Sequence, residues 1–203
     1  MKNWMFVLAI FTFIIFAFLM YSFETPAFVN FDKEMASLLG GNKLIDAFHY
    51  LGETKFFFAV GILLIIWLCF YKRNYYGMFL VLLTYPGGFL LNQLIKRIVE
   101  RPRPDIADQL ASFSFPSGHA MMAMLYLLTI AYFLSGEFVG KKKSTFIWVI
   151  AIILIVLIGL SRIAGSRHFA TDVIAGWSLG YTWFVLCVLW YETRKRQSKI
   201  EDA

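Results

Sequence analysis

The stretch that decides the fold is Asn3 to Phe23, which reads NWMFVLAIFTFIIFAFLMYSF. It carries no charged side chain, and it is long enough for a helix to cross a bilayer, which takes about 20 apolar residues. Its apolar run is longer than the roughly 7–15 residues of a signal-peptide core, and no A-x-A cleavage site follows it. We therefore expect Asn3–Phe23 to be an uncleaved first transmembrane helix.

Five further apolar segments follow along the chain. We predict spans at about Phe56–Tyr71, Tyr75–Ile95, Gly118–Leu134, Thr145–Leu160 and Val173–Tyr191. The second, fourth and fifth of the six spans are short for a bilayer, and we expect them to include flanking residues. Pro86 and the two glycines after it are expected to loosen or kink the third helix. The predicted fold class is therefore all-α, a polytopic membrane protein with six transmembrane helices.

The composition of the 203-residue chain agrees with a membrane fold. Apolar residues make up 60% of the chain, whereas soluble domains contain roughly 45–50%. This composition excludes a soluble enzyme, a disordered chain and a disulfide scaffold. Cys69 and Cys187 both lie in apolar runs, so we interpret them as free, buried thiols. We treat residues 1–203 as a single membrane-embedded domain.

Six spans place both termini on the same side of the cell membrane. Cytoplasmic termini leave 10 of the 19 basic residues inside, in short turns and the C-terminal tail, where the positive-inside bias is strongest. They are Lys2, Lys72, Arg73, Lys141, Lys142, Lys143, Arg194, Lys195, Arg196 and Lys199. We therefore expect cytoplasmic termini, and loops Glu24–Lys55, Lys96–Phe115 and Ser161–Thr171 on the extracytoplasmic face. The net charge of +6 indicates contact with anionic lipid headgroups rather than with nucleic acid.

The first outer loop, Glu24–Lys55, mixes bulky apolar residues with charged ones. The apolar residues are Phe28, Phe31, Leu38, Leu39, Leu44, Ile45 and Phe48. This pattern is typical of helices that lie in the membrane interface. We therefore predict an interfacial helical segment between the first and second spans.

Three clusters of ionisable residues are unusual in so apolar a chain. They are Lys96–Pro104 (KRIVERPRP), Pro116–His119 (PSGH), and Ser161-Arg162 followed by His168 and Asp172. In the six-span arrangement all three lie on one face of the membrane. The topology alone therefore brings them together.

The cations of these clusters predict an anion site. Lys96, Arg103 and Arg162 would repel one another unless a group with several oxygens lay between them, and the arginine fork matches phosphate. Ser117 and Gly118 begin the fourth helix, and the free N–H groups of a helix start bind anions. A phosphate group would satisfy both features.

The two histidines predict a reaction. Asp172 follows His168 by four residues, so its carboxylate can fix the tautomer of the imidazole and make the other ring nitrogen a better nucleophile. His119 comes from a different helix start and could donate a proton to a leaving oxygen. The combination indicates phosphoryl transfer through a phosphohistidine.

Together the clusters resemble the signature of the type 2 phosphatidic acid phosphatase family: K-x6-R-P, P-S-G-H and S-R-x5-H-x3-D. Every motif position is matched between Lys96 and Asp172, and the six-span layout extends the resemblance to nearly the whole chain. The resemblance implies a membrane lipid phosphatase without metal or other cofactor. It implies His168 as nucleophile, His119 as general acid and Asp172 as the residue that orients His168. It implies phosphate binding by Lys96, Arg103, Ser117, Gly118 and Arg162.

Two further cations each have more than one interpretation. Arg97 could be an anchor at the membrane boundary or a contact for a lipid headgroup. Arg101 could contact a headgroup or a second phosphate, or it could pair with Glu100 or Asp105. Both are candidate headgroup contacts.

Other function classes fit the pattern less well. A transporter or channel would carry ionisable residues at mid-span and broken helices in paired positions, whereas here the ionisable residues lie at helix ends on one side. A serine hydrolase using Ser117 or Ser161 would be expected to carry G-x-S-x-G, and a zinc hydrolase H-E-x-x-H. Neither Ser117 nor Ser161 lies in a G-x-S-x-G motif, and H-E-x-x-H is absent.

The expected partner is a phospholipid or polyprenyl phosphate substrate in the bilayer, with no nucleic acid and no obligate protein partner. The motifs contact only the phosphate, so they leave the lipid open. In its small size the chain resembles a group of bacterial phosphatidylglycerophosphatases. This resemblance favours phosphatidylglycerophosphate as the substrate. Undecaprenyl diphosphate and phosphatidic acid are the alternatives.

Overall fold

The computed structural model describes residues 3–105, 112–137 and 141–201, which form helices and the turns between them, without a β-strand. The helices are α1 (Asn3–Ser22), α2 (Pro26–Leu39), α3 (Lys43–Asp46), α4 (Thr54–Ile66), α5 (Tyr75–Leu82), α6 (Gly88–Val99), α7 (Gly118–Glu137), α8 (Lys141–Ala164) and α9 (Ala170–Glu201). A 3₁₀ turn covers Ala47–Gly52. Wider π-type turns extend α4 over Trp67–Tyr71 and join α5 to α6 over Leu83–Gly87.

The prediction of six membrane-spanning helices is confirmed for the described residues. The spans are Asn3–Ser22, Thr54–Tyr71, Tyr75–Val99, Gly118–Gly136, Lys142–Ala164 and Ala170–Ser198. Several are longer than the apolar runs that predicted them, because the helices continue into the polar clusters. Lys96, Arg162 and Asp172 therefore lie in the terminal turns of α6, α8 and α9 rather than in loops.

The third span changes its helical geometry at Pro86, as predicted. Proline has no N–H group and cannot continue the regular i to i−4 ladder, and here the backbone widens into a π-type turn. The indole of Trp183 in α9 donates a hydrogen bond to the carbonyl of Leu83 at 2.9 Å. A side chain of a neighbouring helix thus satisfies a backbone group at the irregular turn.

The centre of the bundle is formed by α7 and α9. In each of these two spans 61% of the residues in the apolar stretch are buried, compared with 17% in the first and second spans. The two helices approach closely because glycines line their contact. A Cβ atom on Gly176 would lie 2.6 Å from the carbonyl oxygen of Ser117, and one on Gly180 would lie 3.1 Å from that of Met121. Small residues permit such packing between membrane helices.

The segment between the first and second spans is helical, as predicted, and comprises α2, α3 and the 3₁₀ turn. Pro26 occupies the first turn of α2, a position where its missing N–H costs nothing. The helix packs against α8 and α9. Its charged residues are exposed except Asp32, which is buried. This buried carboxylate was not predicted, and it lies beside the residues considered next.

Candidate active site

The C-terminal ends of α6 and α8 and the N-terminal ends of α7 and α9 meet at one end of the bundle. Between them lies a cavity of about 200 Å³. It is lined by Gly52, Thr54, Phe89, Asn92, Gln93, Lys96, Arg103, Ser112, Gly118, His119, Met122, Arg162 and His168. Residues from all three sequence clusters therefore contribute to the same cavity.

His168 is held by the tight turn that ends α8. The carbonyl of Arg162 accepts hydrogen bonds from the N–H groups of Arg167 at 2.9 Å and His168 at 3.2 Å. Ser166 adopts a left-handed conformation with φ +53°, which reverses the chain direction as at many helix C-termini. The imidazole is thereby turned back toward the bundle and is buried.

Nδ1 of His168 faces a carboxylate and a hydroxyl. It lies 3.5 Å from Oδ2 of Asp172 and 3.2 Å from the hydroxyl of Ser114. Ser114 also donates a hydrogen bond to the same carboxylate oxygen, so its hydroxyl accepts from Nδ1–H. On the other side of the ring, Nε2 lies 3.2 Å from Nη1 of Arg103. The geometry leaves Nε2 as the unprotonated nitrogen, at the cavity.

Burial lowers the pKa of His168 below its ordinary value of 6.5, although the hydrogen bond and charge of Asp172 oppose this shift. Lys96 and Arg103 lower the pKa further, because two cations nearby disfavour a third positive charge. The imidazole is therefore neutral at physiological pH. A neutral imidazole is the form that can act as a nucleophile.

Asp172 is fixed by contacts on both of its oxygens. Oδ2 accepts the backbone N–H of Phe169 at 3.0 Å, which caps the start of α9. Oδ1 accepts a hydrogen bond of 2.7 Å from Arg101. The side chain is completely buried, so both contacts form away from water.

The contact with Asp172 corrects the prediction for Arg101 as a headgroup contact. The guanidinium is buried between the rings of Phe23 and Phe169, with its central carbon 4.4 and 4.1 Å from their centroids. It pairs with Asp172 and Asp32 rather than with its sequence neighbours Glu100 or Asp105. Its N–H groups are directed to protein carboxylates and do not line the cavity.

The three remaining cations surround the cavity. Lys96 donates to the carbonyls of Phe113 and Ser114. Arg103 donates from Nε to the carbonyl of Ser112 at 2.7 Å and from Nη1 to that of Arg167 at 2.8 Å. These neutral carbonyls orient both side chains without cancelling their charge. No carboxylate of the described residues pairs with them at salt-bridge distance, so their charge is free to attract an anion.

Two polar atoms beside the cavity have no hydrogen-bond partner among the described residues. They are Nε of Arg162 and Oγ of Ser117, and both are buried. An unsatisfied buried polar group costs free energy, so such groups commonly serve a ligand. The backbone N–H of Ser117 is already used, because it donates to the carbonyl of Asp172 at 3.0 Å. Only the hydroxyl of this residue remains for a phosphate.

The start of α7 contributes Gly118 and His119 to the cavity wall. The first N–H groups of a helix have no acceptor within the helix, and they attract anions. The ring of His119 packs against Gly52, where an added Cβ would lie 2.7 Å from Cδ2 of the ring. His119 thus contributes to the same cavity from a different helix than His168 does.

Some cavity residues were missed by sequence reasoning. Thr54, Asn92 and Gln93 line the cavity but lie outside the predicted set. Ser114, which contacts His168 and Asp172, was also missed, and no local pattern identifies any of the four. Arg97, predicted as a candidate headgroup contact, is exposed at the end of α6 and is not among the cavity residues. It remains a candidate only for lipid outside the cavity.

The alternative chemistries find little support at this end of the bundle. The hydroxyl of Ser161 donates to the carbonyl of Ile158 at 2.7 Å and is not directed at a histidine. Within the described ranges, no group of three or more His, Cys, Asp or Glu side chains is arranged to hold a metal ion. A reaction without metal stays a prediction.

Comparison with protein families supplies the observation that decides the assignment. The profile of the PAP2 superfamily matches residues 75–196, which is more than half of the chain. The chain belongs to the PAP2 superfamily.

Individual relatives agree with this assignment. The chain is 37% identical over 159 residues to phosphatidylglycerophosphatase B of Bacillus subtilis, covering 76% of this chain and 77% of the relative. It is 26% identical over 143 residues to an undecaprenyl-diphosphatase of Sulfolobus acidocaldarius, covering 66% and 64% of the two chains. The crystal structure of a transmembrane PAP2-type phosphatidylglycerolphosphate phosphatase from B. subtilis superposes with a TM-score of 0.83 at 30% identity, covering 91% and 96%.

The family and the fold together establish the class of protein. It is a multi-pass membrane protein and a lipid phosphatase of the PAP2 type, hence a phosphoric monoester hydrolase. The geometry of the cavity is suited to that reaction, because it combines a neutral imidazole, a second histidine and three cations in one place.

Proposed function

We propose that the protein removes the terminal phosphate of phosphatidylglycerophosphate through a phosphohistidine on His168. The observation that carries this proposal is the environment of the His168 ring. Nδ1 faces Asp172 and Ser114, whereas Nε2 faces the cavity beside Arg103. A carboxylate on the far nitrogen raises the nucleophilicity of the near one.

The reaction has two steps. Nε2 of His168 attacks phosphorus, the bond from phosphorus to the lipid oxygen breaks, and His119 gives a proton to that oxygen. Water then attacks phosphorus and returns its proton to His119, while the electrons of the N–P bond return to Nε2 and inorganic phosphate leaves. Asp172 stabilises the positive charge that develops on the imidazole in the first step.

The phosphate itself is bound by cations and by the start of α7. We assign Lys96, Arg103 and Arg162 to its oxygens, together with the hydroxyl of Ser117 and the N–H groups at Gly118. The unpartnered atoms of Arg162 and Ser117 support this assignment. Charge spread over the equatorial oxygens in the transition state is the quantity that such groups stabilise.

The choice of lipid rests on the relatives. Phosphatidylglycerophosphatase B covers most of the chain at 37% identity, so phosphatidylglycerophosphate is the first candidate. The undecaprenyl-diphosphatase relative makes a polyprenyl diphosphate the second. Thr54 and Gln93 at the cavity wall are suited to hydrogen-bond a glycerol hydroxyl, which favours the first candidate.

We further propose that the termini are cytoplasmic and that the cavity opens to the extracytoplasmic face. The basic residues of the two short turns and the tail support this orientation. In this orientation the enzyme acts on lipid in the outer leaflet.

A direct comparison of substrates tests the proposal. Purified protein in detergent or liposomes is assayed for phosphate release from phosphatidylglycerophosphate, undecaprenyl diphosphate and phosphatidic acid side by side. We expect kcat/KM to be highest for phosphatidylglycerophosphate and activity to vanish in His168→Ala. A higher kcat/KM for undecaprenyl diphosphate would show that this lipid is the preferred substrate, and the phosphohistidine mechanism would still stand.

A further inference from the structure

Asp32, on the helix between the first two spans, reaches the start of α9 although 139 residues separate it from Thr171. Oδ1 accepts the backbone N–H of Thr171 at 2.8 Å, and Oδ2 accepts its hydroxyl at 2.8 Å. The first N–H groups of a helix need an external acceptor, and a negative charge there is favoured by the helix dipole. Asp32 therefore caps α9 at Thr171, the residue immediately before Asp172.

The same carboxylate also binds Arg101. Oδ2 of Asp32 lies 2.9 Å from Nη2 of Arg101, whose Nη1 lies 2.7 Å from Oδ1 of Asp172. One guanidinium is thus shared by two buried carboxylates. Asp32, Arg101 and Asp172 are 4%, 7% and 0% exposed, so water does not screen the charges and each strongly affects the others.

This sharing matters for Asp172. If Arg101 paired with Asp172 alone, its full positive charge would oppose the interaction of that carboxylate with the His168 ring. A second carboxylate on Arg101 offsets this charge and leaves Asp172 its capacity to accept from Ser114 and to stabilise a positive imidazole. The effect is transmitted through Arg101, because Asp32 does not line the cavity.

We propose that Asp32 is a positioning residue of the reaction, which keeps Asp172 effective toward His168 by sharing the charge of Arg101. The inference rests on the proposed role of His168 as nucleophile. It makes the helix between the first two spans part of the catalytic machinery. The expected consequence is a loss of turnover, rather than of substrate binding, when the charge of Asp32 is removed.

The variant Asp32→Asn isolates this charge, since its amide oxygen can still accept the N–H of Thr171. Glu34→Gln is the matched control, because it removes an exposed carboxylate from the same helix. We expect kcat on p-nitrophenyl phosphate to fall at least tenfold in Asp32→Asn with KM changed less than about twofold, and both to be unchanged in Glu34→Gln. Rates are expressed per mole of monodisperse protein, and Asp32→Ser serves as a second variant if Asp32→Asn folds poorly.

A double-variant cycle tests whether the effect passes through Arg101. In an Arg101→Gln background the substitution Asp32→Asn should lower kcat little further, because the charge of Arg101 that Asp32 shares is gone. Independent losses that multiply would overturn the proposal and assign Asp32 to capping alone.

A spectroscopic readout separates this role from simple destabilisation. The nitrogen-15 shifts of His168 report its protonation. Its charged neighbours are Asp172, Lys96 and Arg103, and Arg162 and the titratable His119 line the same cavity. We expect the midpoint of the His168 titration to move down in Asp32→Asn, which removes a negative charge, and up in Arg101→Gln. Midpoints that do not move would overturn the inference.

Measuring His168→Ala in parallel keeps the two proposals apart. Turnover that persists in His168→Ala would overturn the proposed function. An inactive His168→Ala together with a fully active Asp32→Asn would overturn the role of Asp32 alone.

Discussion

Nε2 of His168 lies 3.2 Å from Nη1 of Arg103, a group that can only donate a hydrogen bond. The imidazole must therefore accept there and carry its proton on Nδ1, where Ser114 and Asp172 receive it. In the proposed mechanism, this contact places the attacking nitrogen beside a cation that would also bind the phosphate. One arginine would thus bring the nucleophile and the phosphorus together.

The pH dependence follows from the burial of this ring. Because burial lowers the pKa of His168, we expect the neutral Nδ1–H tautomer to persist well below pH 6.5, the value of an ordinary histidine. The check is a nitrogen-15 titration with labelled histidine, assigned by comparison with His168→Ala among the three histidines of the chain. A titration midpoint at or above pH 6.5 would contradict the lowering of the His168 pKa by burial.

The same shift has a consequence for stability. The folded state prefers the neutral ring, so the unfolded chain binds the proton more readily below pH 6.5. The contribution of His168 to the free energy of unfolding is therefore complete above pH 6.5. It declines as the pH falls from 6.5 toward the lowered pKa of the folded state. Thermal unfolding of His168→Gln should depend less on pH in this interval than that of the wild type.

The two histidines should respond differently to the leaving group. His168→Ala should abolish turnover of every substrate. His119→Ala should lose on the order of 100-fold on a lipid, whose alkoxide needs a proton to leave, and distinctly less on p-nitrophenyl phosphate. On the lipid substrate, the loss of activity in Asp172→Asn should lie between the losses in His168→Ala and His119→Ala. Equal losses on both substrates in His119→Ala would assign that residue to phosphate binding.

Gly52 should be sensitive to the smallest substitution. A Cβ there would lie 2.7 Å from Cδ2 of His119 and 2.8 Å from Cγ2 of Ile158. In Gly52→Ala the ring of His119 must move, and we expect kcat on the lipid to fall on the order of 10- to 100-fold. Gly136→Ala, in the same helix as His119 and with open space around the added Cβ, is the control and should stay within about twofold. Matching rates for the two variants would refute a role for this packing.

Membrane orientation can be read from single cysteines. In a background with Cys69 and Cys187 replaced by alanine, Ser112→Cys at the cavity rim should react with an impermeant thiol reagent on intact cells, and Ser144→Cys near the start of α8 should not. The reversed pattern would place the cavity in the cytoplasm.

The reaction should need no metal ion. Lys96, Arg103 and Arg162 supply positive charge around the cavity, which is the contribution a divalent ion makes at other phosphatases. We expect full phosphate release in excess EDTA, and inhibition by vanadate, which can mimic five-coordinate phosphorus. Activity lost in EDTA and restored by Mg²⁺ or Zn²⁺ would require a different mechanism.

The residues that could be predicted from sequence are those whose chemistry is marked by a local pattern. Six apolar runs predict six spans because the bilayer sets their length, and the three clusters predict one cavity because helix ends on the same side must meet. Lys96, His119 and His168 follow from these two facts together. Several of the spans, though not the first, extend beyond their predicted bounds, since charged residues that end an apolar run can continue the helix.

The residues that could not be predicted act through contacts distant in sequence. Ser114 is an isolated serine between two motifs, and only the folded chain places it between His168 and Asp172. Asp32 is followed by Lys33 and Glu34, so the sequence alone predicts that it belongs to a solvated helix face. The partners considered for Arg101 were its sequence neighbours, whereas the actual carboxylates are 69 and 71 residues away.

The shared guanidinium of Arg101 also bears on how chimeras of such enzymes are designed. The family profile begins at residue 75, so the first 74 residues look like an exchangeable membrane anchor. They supply Asp32, one face of the packing around Arg101 through Phe23, and the rings of Phe16 and Phe23 that stack on Phe115. A chimera joined at Tyr75 therefore replaces the carboxylate that shares Arg101 with Asp172. Its N-terminal segment should be chosen so that an acidic residue stands at the position of Asp32.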